Sequence, residues 1–323
     1  MSDIVELSKK DSTKPRSLYQ IAVRRFLKHR MAVIGVITLI GILAFVIGGA
    51  FFYRESAGNM TRLRGREMPP GTEVSADRNG ASGETVIAHL GTDISGRDVL
   101  IRMIYGGQIS LAIGITSVLI SITVGTVIGL LAGFFGGWVD GILSRITEVF
   151  LAIPALVLLL VLSSVLRQDT ATINLFGRTL SRTVIYIVVL IGCTSWMPLS
   201  RIVRSQVLSL KEQEYIVAAR AIGVRSMGII FRHLLPNVIA PIVVAATLGV
   251  GTAIITEAYL SFLGFGVQPP TATWGNIINE AQGNVDTRWW LWLFPGAMIV
   301  LTVLAINYIG DGLRDALDPR TIE

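Results

Sequence analysis

Along this chain, uncharged apolar stretches alternate with short polar, often basic, connections. Six stretches of 17 to 27 residues contain no Asp, Glu, Lys or Arg: 31–52, 109–135, 149–166, 184–200, 238–256 and 289–309. A helix rises about 1.5 Å per residue and the hydrocarbon core of a bilayer is about 30 Å thick, so about 20 apolar residues are needed to cross it. The pattern predicts six spanning helices in an all-α integral membrane protein. Pro154, Pro198, Pro241 and Pro295 fall in or beside these stretches, where each frees a carbonyl that neighbours or water must satisfy. Kinked helices around a cavity are expected. Gly114, Gly125, Gly129 and Gly133 give the second stretch a small-residue face that should meet protein, because small residues let membrane helices approach closely.

The connections differ in character. Residues 1–30 form a basic N-terminal tail, whose part 18–30 reads either as an amphipathic surface helix or as flexible chain. Residues 31–52 are the first membrane helix. The segment 53–106 is rich in turn formers (Pro69, Pro70, Gly71, Gly80, Gly83), lacks an apolar period, and is expected to be an external loop. Residues 107–309 hold the five-helix core, and 310–323 a C-terminal tail. Segment 211–235 stands out. Tyr215, Ala218, Ala219 and Ile222 fall at i, i+3, i+4 and i+7, and Met227, Ile230, Phe231 and Leu234 repeat that spacing. Two short amphipathic helices follow, with Gly223 as terminator between them and Pro236 as stop before the fifth span. Such a pair could rest on lipid headgroups. The shallow face of Ala218 and Ala219 beside Tyr215 suits a protein groove better.

Composition sharpens the class. Hydrophobic residues make up 52% of 323 and charged residues only 15%, which argues against an ordinary soluble enzyme. The net charge of +6 would suggest nucleic acid in a soluble protein, but here the basic residues cluster beside apolar stretches, so no nucleic-acid partner is expected. Seventeen Lys and Arg lie on the side of the termini and eleven on the other, seven of the latter in the long first loop. Positive residues in short loops favour the cytoplasm, so both termini are expected inside. The lone Cys193 permits no intrachain disulfide.

Candidate chemistry is sparse. No G-x-x-x-x-G-K-S/T run occurs, so no P-loop cradles nucleotide phosphates here. His29, His89 and His233 lie far apart without ligand spacing, and surface or capping roles are expected of them. Asp93 and Asp98 suggest a cation loop, or more simply an Asx turn and a helix N-cap before Val99. Glu257, the carboxylate nearest the apolar core, is a candidate for the pathway; the alternative is a hydrogen bond to the glycine-rich turn that follows it. Trp289, Trp290 and Trp292 read as an interfacial belt.

The run Glu214-Tyr215-Ile216-Val217-Ala218-Ala219-Arg220-Ala221-Ile222-Gly223, followed by Arg232-His233-Leu234-Leu235-Pro236-Asn237, resembles the coupling loop of binding-protein-dependent ABC importer permeases. Gly91-Thr92-Asp93 and Gly96-Arg97-Asp98, Glu257 to Gly264, Gln268-Pro269-Pro270 with Trp274-Gly275-Asn276, and the ending Gly310 to Arg320 are similar to the C-type subunits of the dipeptide, oligopeptide and nickel importers. That resemblance implies a type I ABC importer permease architecture without enzyme activity of its own. Its implied partners are a homologous second permease, two cytoplasmic P-loop ATPases that bind ATP and Mg, an extracytoplasmic solute-binding protein and membrane lipid, all at a prokaryotic inner membrane. It also implies that Glu214, Tyr215, Ala218, Ala219, Arg220, Gly223, Arg225 and Pro236 belong to the ATPase-coupling loop. One departure stands out, since Val217 occupies the place where the family usually has an acid. Di- or oligopeptide is the expected cargo, with nickel, opines or oligosaccharides as alternatives. A self-contained secondary carrier is the rival class, but it would need several ionisable groups at the midplane, and only Glu257 is offered.

Overall fold

In the computed structural model, residues 18–317 are described, with positions 82 and 176 excepted. The far N-terminal tail and the last part of the C-terminal motif lie outside the described residues.

Helix α1, Leu18–Lys28, is the amphipathic option for the tail. It packs on the end of the last helix, where a side chain on Gly312 would meet the Phe26 ring at 3.2 Å. His29 caps the next helix, its Nδ1 accepting from the Ala32 amide at 3.1 Å. The first span, α2, is Arg30–Phe52, interrupted by a π-type turn at Ala44–Gly48.

Four of the other expected spans change shape. Span α4 runs Val99–Phe135, ten residues longer than its uncharged stretch, because Arg102 is buried with partners and does not end the helix. Asp98 caps it, accepting from the Ile101 amide at 3.1 Å, as the capping reading expected. The third stretch is a bent pair, α5 (Gly137–Ala152) and α6 (Ala155–Leu166), meeting at 80° beside Pro154. The fourth becomes α7 (Thr183–Thr194) and α8 (Met197–Leu210), broken at Ser195-Trp196 with Pro198 in the first turn of α8. The charged Arg201 and Arg204 continue α8 beyond the apolar stretch.

Pro236 does not stop the second short helix. Ser226–Ile229 passes through a π-type turn, Ile230–Leu234, straight into the fifth span, and the whole of Ser226–Phe262 (α10) is one helix. Proline lacks an N–H, so it is tolerated where the ladder is already re-registered, and the wider turn sits just ahead of it. Among the described residues, α2, α4, α7–α8, α10 and α12 (Trp290–Leu317) are long enough to cross a bilayer, five in all, and the bent pair counts as a sixth when its two arms are taken as one span.

The connections at the other end are more ordered than a loop. Helix α3 (Glu55–Gly58) is followed by an antiparallel hairpin, β1 (Thr72–Ser75) with β2 (Thr85–Ala88). A second hairpin, β3 (Thr172–Leu175) with β4 (Arg178–Ser181), joins α6 to α7, so the all-helical expectation holds for the spans and not for these connections. Helix α11, Trp274–Asn279, carries a capping box between Thr273 and Asn276. Its Trp274 ring is fully buried and donates to the Met103 carbonyl at 3.0 Å.

The glycine face of α4 meets protein as expected. A Cβ on Gly129 or Gly133 would lie 2.6–2.7 Å from the backbone or side chains of α8, and one on Gly125 would lie 2.8 Å from the Trp196 carbonyl oxygen just ahead of it. Backbones this close weld α4 to α8 through many small contacts.

Candidate functional site

At the end of the bundle reached by α4 and α8, helix α9 (Glu214–Ala221) starts three residues after α8 ends. Its end is a Schellman motif: the Gly223 amide donates to the Arg220 carbonyl and the Val224 amide to the Ala219 carbonyl, both at 3.1 Å. Gly223 has φ +80°, a conformation that a side chain disfavours, and nothing crowds it. The glycine is there for its backbone alone.

Two faces of α9 have opposite fates. Ile216 is fully buried, packed in a cluster with Val203 and Val207 of α8, Leu130 of α4 and Ile229, Ile230 and Leu234 of α10, and Ala219 on the same side of the helix is nearly buried. Tyr215, Val217, Ala218 and Ile222 point away from the bundle, Ile222 being 82% exposed. The sequence reading placed Ala219 on the docking face with Tyr215 and Ala218; the structure moves it to the anchoring face. The same split divides α10's start, where Met227 and Phe231 are exposed while Ile230 and Leu234 are buried. Arg220 lies over the Phe134 ring at 5.7 Å, and the Tyr215 and His233 rings are 6.4 Å apart. Glu214, Arg225 and Pro236 are exposed, Arg225 preceding the first turn of α10 without a side-chain cap. An anchored helix with an uncovered outer face of Tyr215, Ala218 and Ile222 can transmit a push from a bound partner into α8 and α10.

Within the spans, a cavity of about 600 Å³ is bounded by α4, the break between α5 and α6, the break between α7 and α8, and α10. Its polar groups are Ser117, Ser121, Thr194, Ser195 and Thr252, and among the described residues no charged side chain lines it. Glu257 is not on this wall. It is fully buried between α4 and α10, accepting from the hydroxyls of Ser110 (3.1 Å) and Ser261 (2.7 Å). Ser110 in turn accepts from the Trp274 amide at 3.2 Å, so the carboxylate ties α11 into the bundle.

At the hairpin end, Asp93 joins an ionic cluster in place of a cation loop. Its Oδ2 accepts from Arg97 Nε at 2.6 Å and from Arg102 Nη1, while Glu280 Oε1 accepts from Arg97 Nη2 at 2.8 Å and Arg102 Nη1 at 2.7 Å. Burial pushes the Glu280 carboxyl above its usual range against the pull of Arg102. Among the described residues no group of three or more potential ligands could hold a metal ion. Trp290 is also corrected: it is buried and donates to the Thr92 carbonyl at 3.1 Å, leaving only Trp289 and Trp292 partly exposed as a belt would be. Nearby, the Tyr186 hydroxyl (2.6 Å) and the Ala171 amide (2.8 Å) donate to Asp169 and hold its carboxyl below the usual range.

Broken spans around an uncharged cavity, with a paired helix exposed at one end, define the fold of an ABC importer membrane subunit. A chain of the inward-facing MetNI methionine ABC transporter shares it, with a TM-score of 0.52 and 21% identity over 67% of this chain and 96% of that one. The chain belongs to the binding-protein-dependent transport system inner membrane components, whose family pattern matches residues 125–323. Residues 17–70 match the N-terminal TM domain of oligopeptide transport permease C. Relatives include the oligopeptide transport system permease protein OppC of Escherichia coli K12, 40% identical over 97% of this chain and 95% of that protein. The OppC protein of Bacillus subtilis is 34% identical over 97% of this chain and 93% of its own length.

Proposed function

We propose that this permease carries oligopeptides inward as one half of a translocation path completed by a second, homologous permease. Two P-loop ATPases that bind ATP and Mg dock on the outer face of α9 and the start of α10, and an extracytoplasmic solute-binding protein delivers cargo to the opposite end. Both termini and segment 211–235 are then cytoplasmic, and the two hairpins face outward.

The observation that carries this reading is the split of α9, whose inner face is locked into α8 and α10 while its outer face is uncovered. A helix that merely rested on headgroups would not need the Gly223 turn to hold it at a fixed angle against two spans. Peptide cargo is supported by the names of the relatives and by a cavity whose hydroxyls and apolar walls suit an uncharged backbone. Glu257 serves the bundle in this reading, not the path.

Reconstitution of the permease pair, ATPases and binding protein in vesicles tests it. Uptake of a labelled peptide should require ATP and the binding protein, and vesicles with this chain alone should hydrolyse no ATP and accumulate nothing. Accumulation by the single chain under an ion gradient would sink the importer reading. Uptake of nickel ion or an opine, with no peptide uptake, would sink the cargo.

A further inference from the structure

Helix α5 is attached to the molecule differently from every span around it. Of its sixteen residues only Thr147 is buried, whereas α8 beside it buries five and is welded to the glycine face of α4. Its link to α4 is Gly136-Gly137, with φ +64° and +52°, and a Cβ at Gly137 would touch nothing within 4 Å. These glycines are set by their backbone and not by crowding, as at a hinge. Between α5 and the α4–α8 pair lies a cavity of about 290 Å³, lined by Gly129, Ser144, Glu148, Ser200 and Arg204 among others, so packing does not hold the arm there. Across the gap Arg204 of α8 grips Asp140 of α5 in a two-pronged pair, Nε to Oδ1 at 2.5 Å and Nη2 to Oδ2 at 2.6 Å, with Glu148 of α5 adding a longer-range attraction to the same guanidinium. The carboxylate is steadied by Ser144, one turn on, at 3.0 Å.

Both partners lead to the larger cavity. At its far end α5 lines it with Phe150 and Leu151, and α8 lines it with Met197, Pro198, Leu199 and Ile202 before running down to the coupling helix. We propose that Asp140 and Arg204 form a latch that holds the α5–α6 arm, hinged at Gly136-Gly137, against α8, and that transport requires this latch to open and close as α9 is pushed. Asp140 and Arg204 are positioning residues on this view, since neither lines the path itself. The inference rests on the importer reading for its cycle.

Two measurements on the assembled complex decide it. In vesicles, Asp140→Asn and Arg204→Gln should each raise ATP hydrolysis without peptide by about two- to fivefold, the range over which a half-exposed ion pair biases a two-state equilibrium, and lower peptide carried per ATP. Arg204→Lys, which keeps the charge and loses the fork, should fall between, and the exchange Asp140→Arg with Arg204→Asp should bring the ratio back toward wild type. Wild-type ratios in both single variants, or an exchange no better than the singles in an intact complex, would overturn the latch. Should the charge variants fail to assemble, spin labels at Ile146→Cys and Ser205→Cys in a Cys193→Ala background leave the pair untouched. The distance between them should change by several ångströms between nucleotide-free and vanadate-trapped complex, and an unchanged distance would overturn the hinge. A wild-type complex that carries no peptide would count against the cargo, while the distance measurement, which needs only ATP, still decides the latch.

Discussion

At the residue scale, neighbouring alanines have different jobs. Ala219 is nearly buried on the inner side of α9 with Ile216, so Ala219→Asp places a carboxylate where water is largely excluded, and the effective cost of burying an ion is several kcal/mol. Helix α9 should lift from the bundle, which trypsin cleavage after Arg220 would report as faster in membranes. Ala218→Asp puts the same charge on the uncovered face. It should leave cleavage unchanged and still reduce recovery of the ATPases with the permease; unchanged recovery would show that this face is not the docking surface. Gly223→Val is a third kind of change. A β-branched residue at φ +80° costs about 1–3 kcal/mol of strain, so the turn should open and uptake per ATP should fall while the protein remains inserted. The spacing in the sequence picked out one face, Tyr215, Ala218, Ala219 and Ile222, and passed over the neighbouring one that holds Ile216. It could not say which one turns inward, because Tyr215 and Ile216 are both apolar enough to bury, and only the position of α8 and α10 decides.

The elements of the fold were legible to different degrees. Apolar length located the five long spans and the bent pair, since crossing a bilayer demands it, but the start of α4 was displaced because a charge there finds partners. Arg102 is helical because Asp93 and Glu280 neutralise it, and Glu280 lies 178 residues away, beyond any periodicity. The Asp140–Arg204 pair was hidden for the same reason. The hairpins escaped notice because each strand is only four residues long, with β2 and β3 largely exposed, leaving no alternation of buried and polar positions to read. In contrast, the glycine repeat of α4 stated its role openly. Gly129→Val would bring a Cβ within 2.6 Å of the Ser200 carbonyl, and overpacking of this kind costs about 1–3 kcal/mol. A lowered midpoint in detergent thermal unfolding is expected, with no such shift for Gly141→Val, where nothing lies within 4 Å. On the hairpin side, Asp169 has a depressed folded pKa. Its contribution is therefore complete above the ordinary aspartate value of 3.8 and is lost as pH falls through the lower folded value. Hydrogen exchange in Thr172–Leu175 should accelerate over that acid window beyond the intrinsic rate, and Asp169→Asn should show the faster exchange already at neutral pH.

For the molecule as a whole, orientation is the property most open to direct test. A cysteine at position 225 in a Cys193→Ala background should be silent to an impermeant thiol reagent added to intact cells, and one at position 64 should react. The reverse pattern would turn the protein over and place α9 on the wrong side for an ATPase. The wall of the larger cavity carries a further consequence. Among the described residues no acid or base lines this wall, so it offers no side-chain counter-ion to a charge of either sign. A lysine or a glutamate on passing cargo would each give up hydration here, and neither would find a counter-ion to linger on. Such a surface is built for brief residence, so on this half discrimination among sequences falls to whatever hands the cargo over.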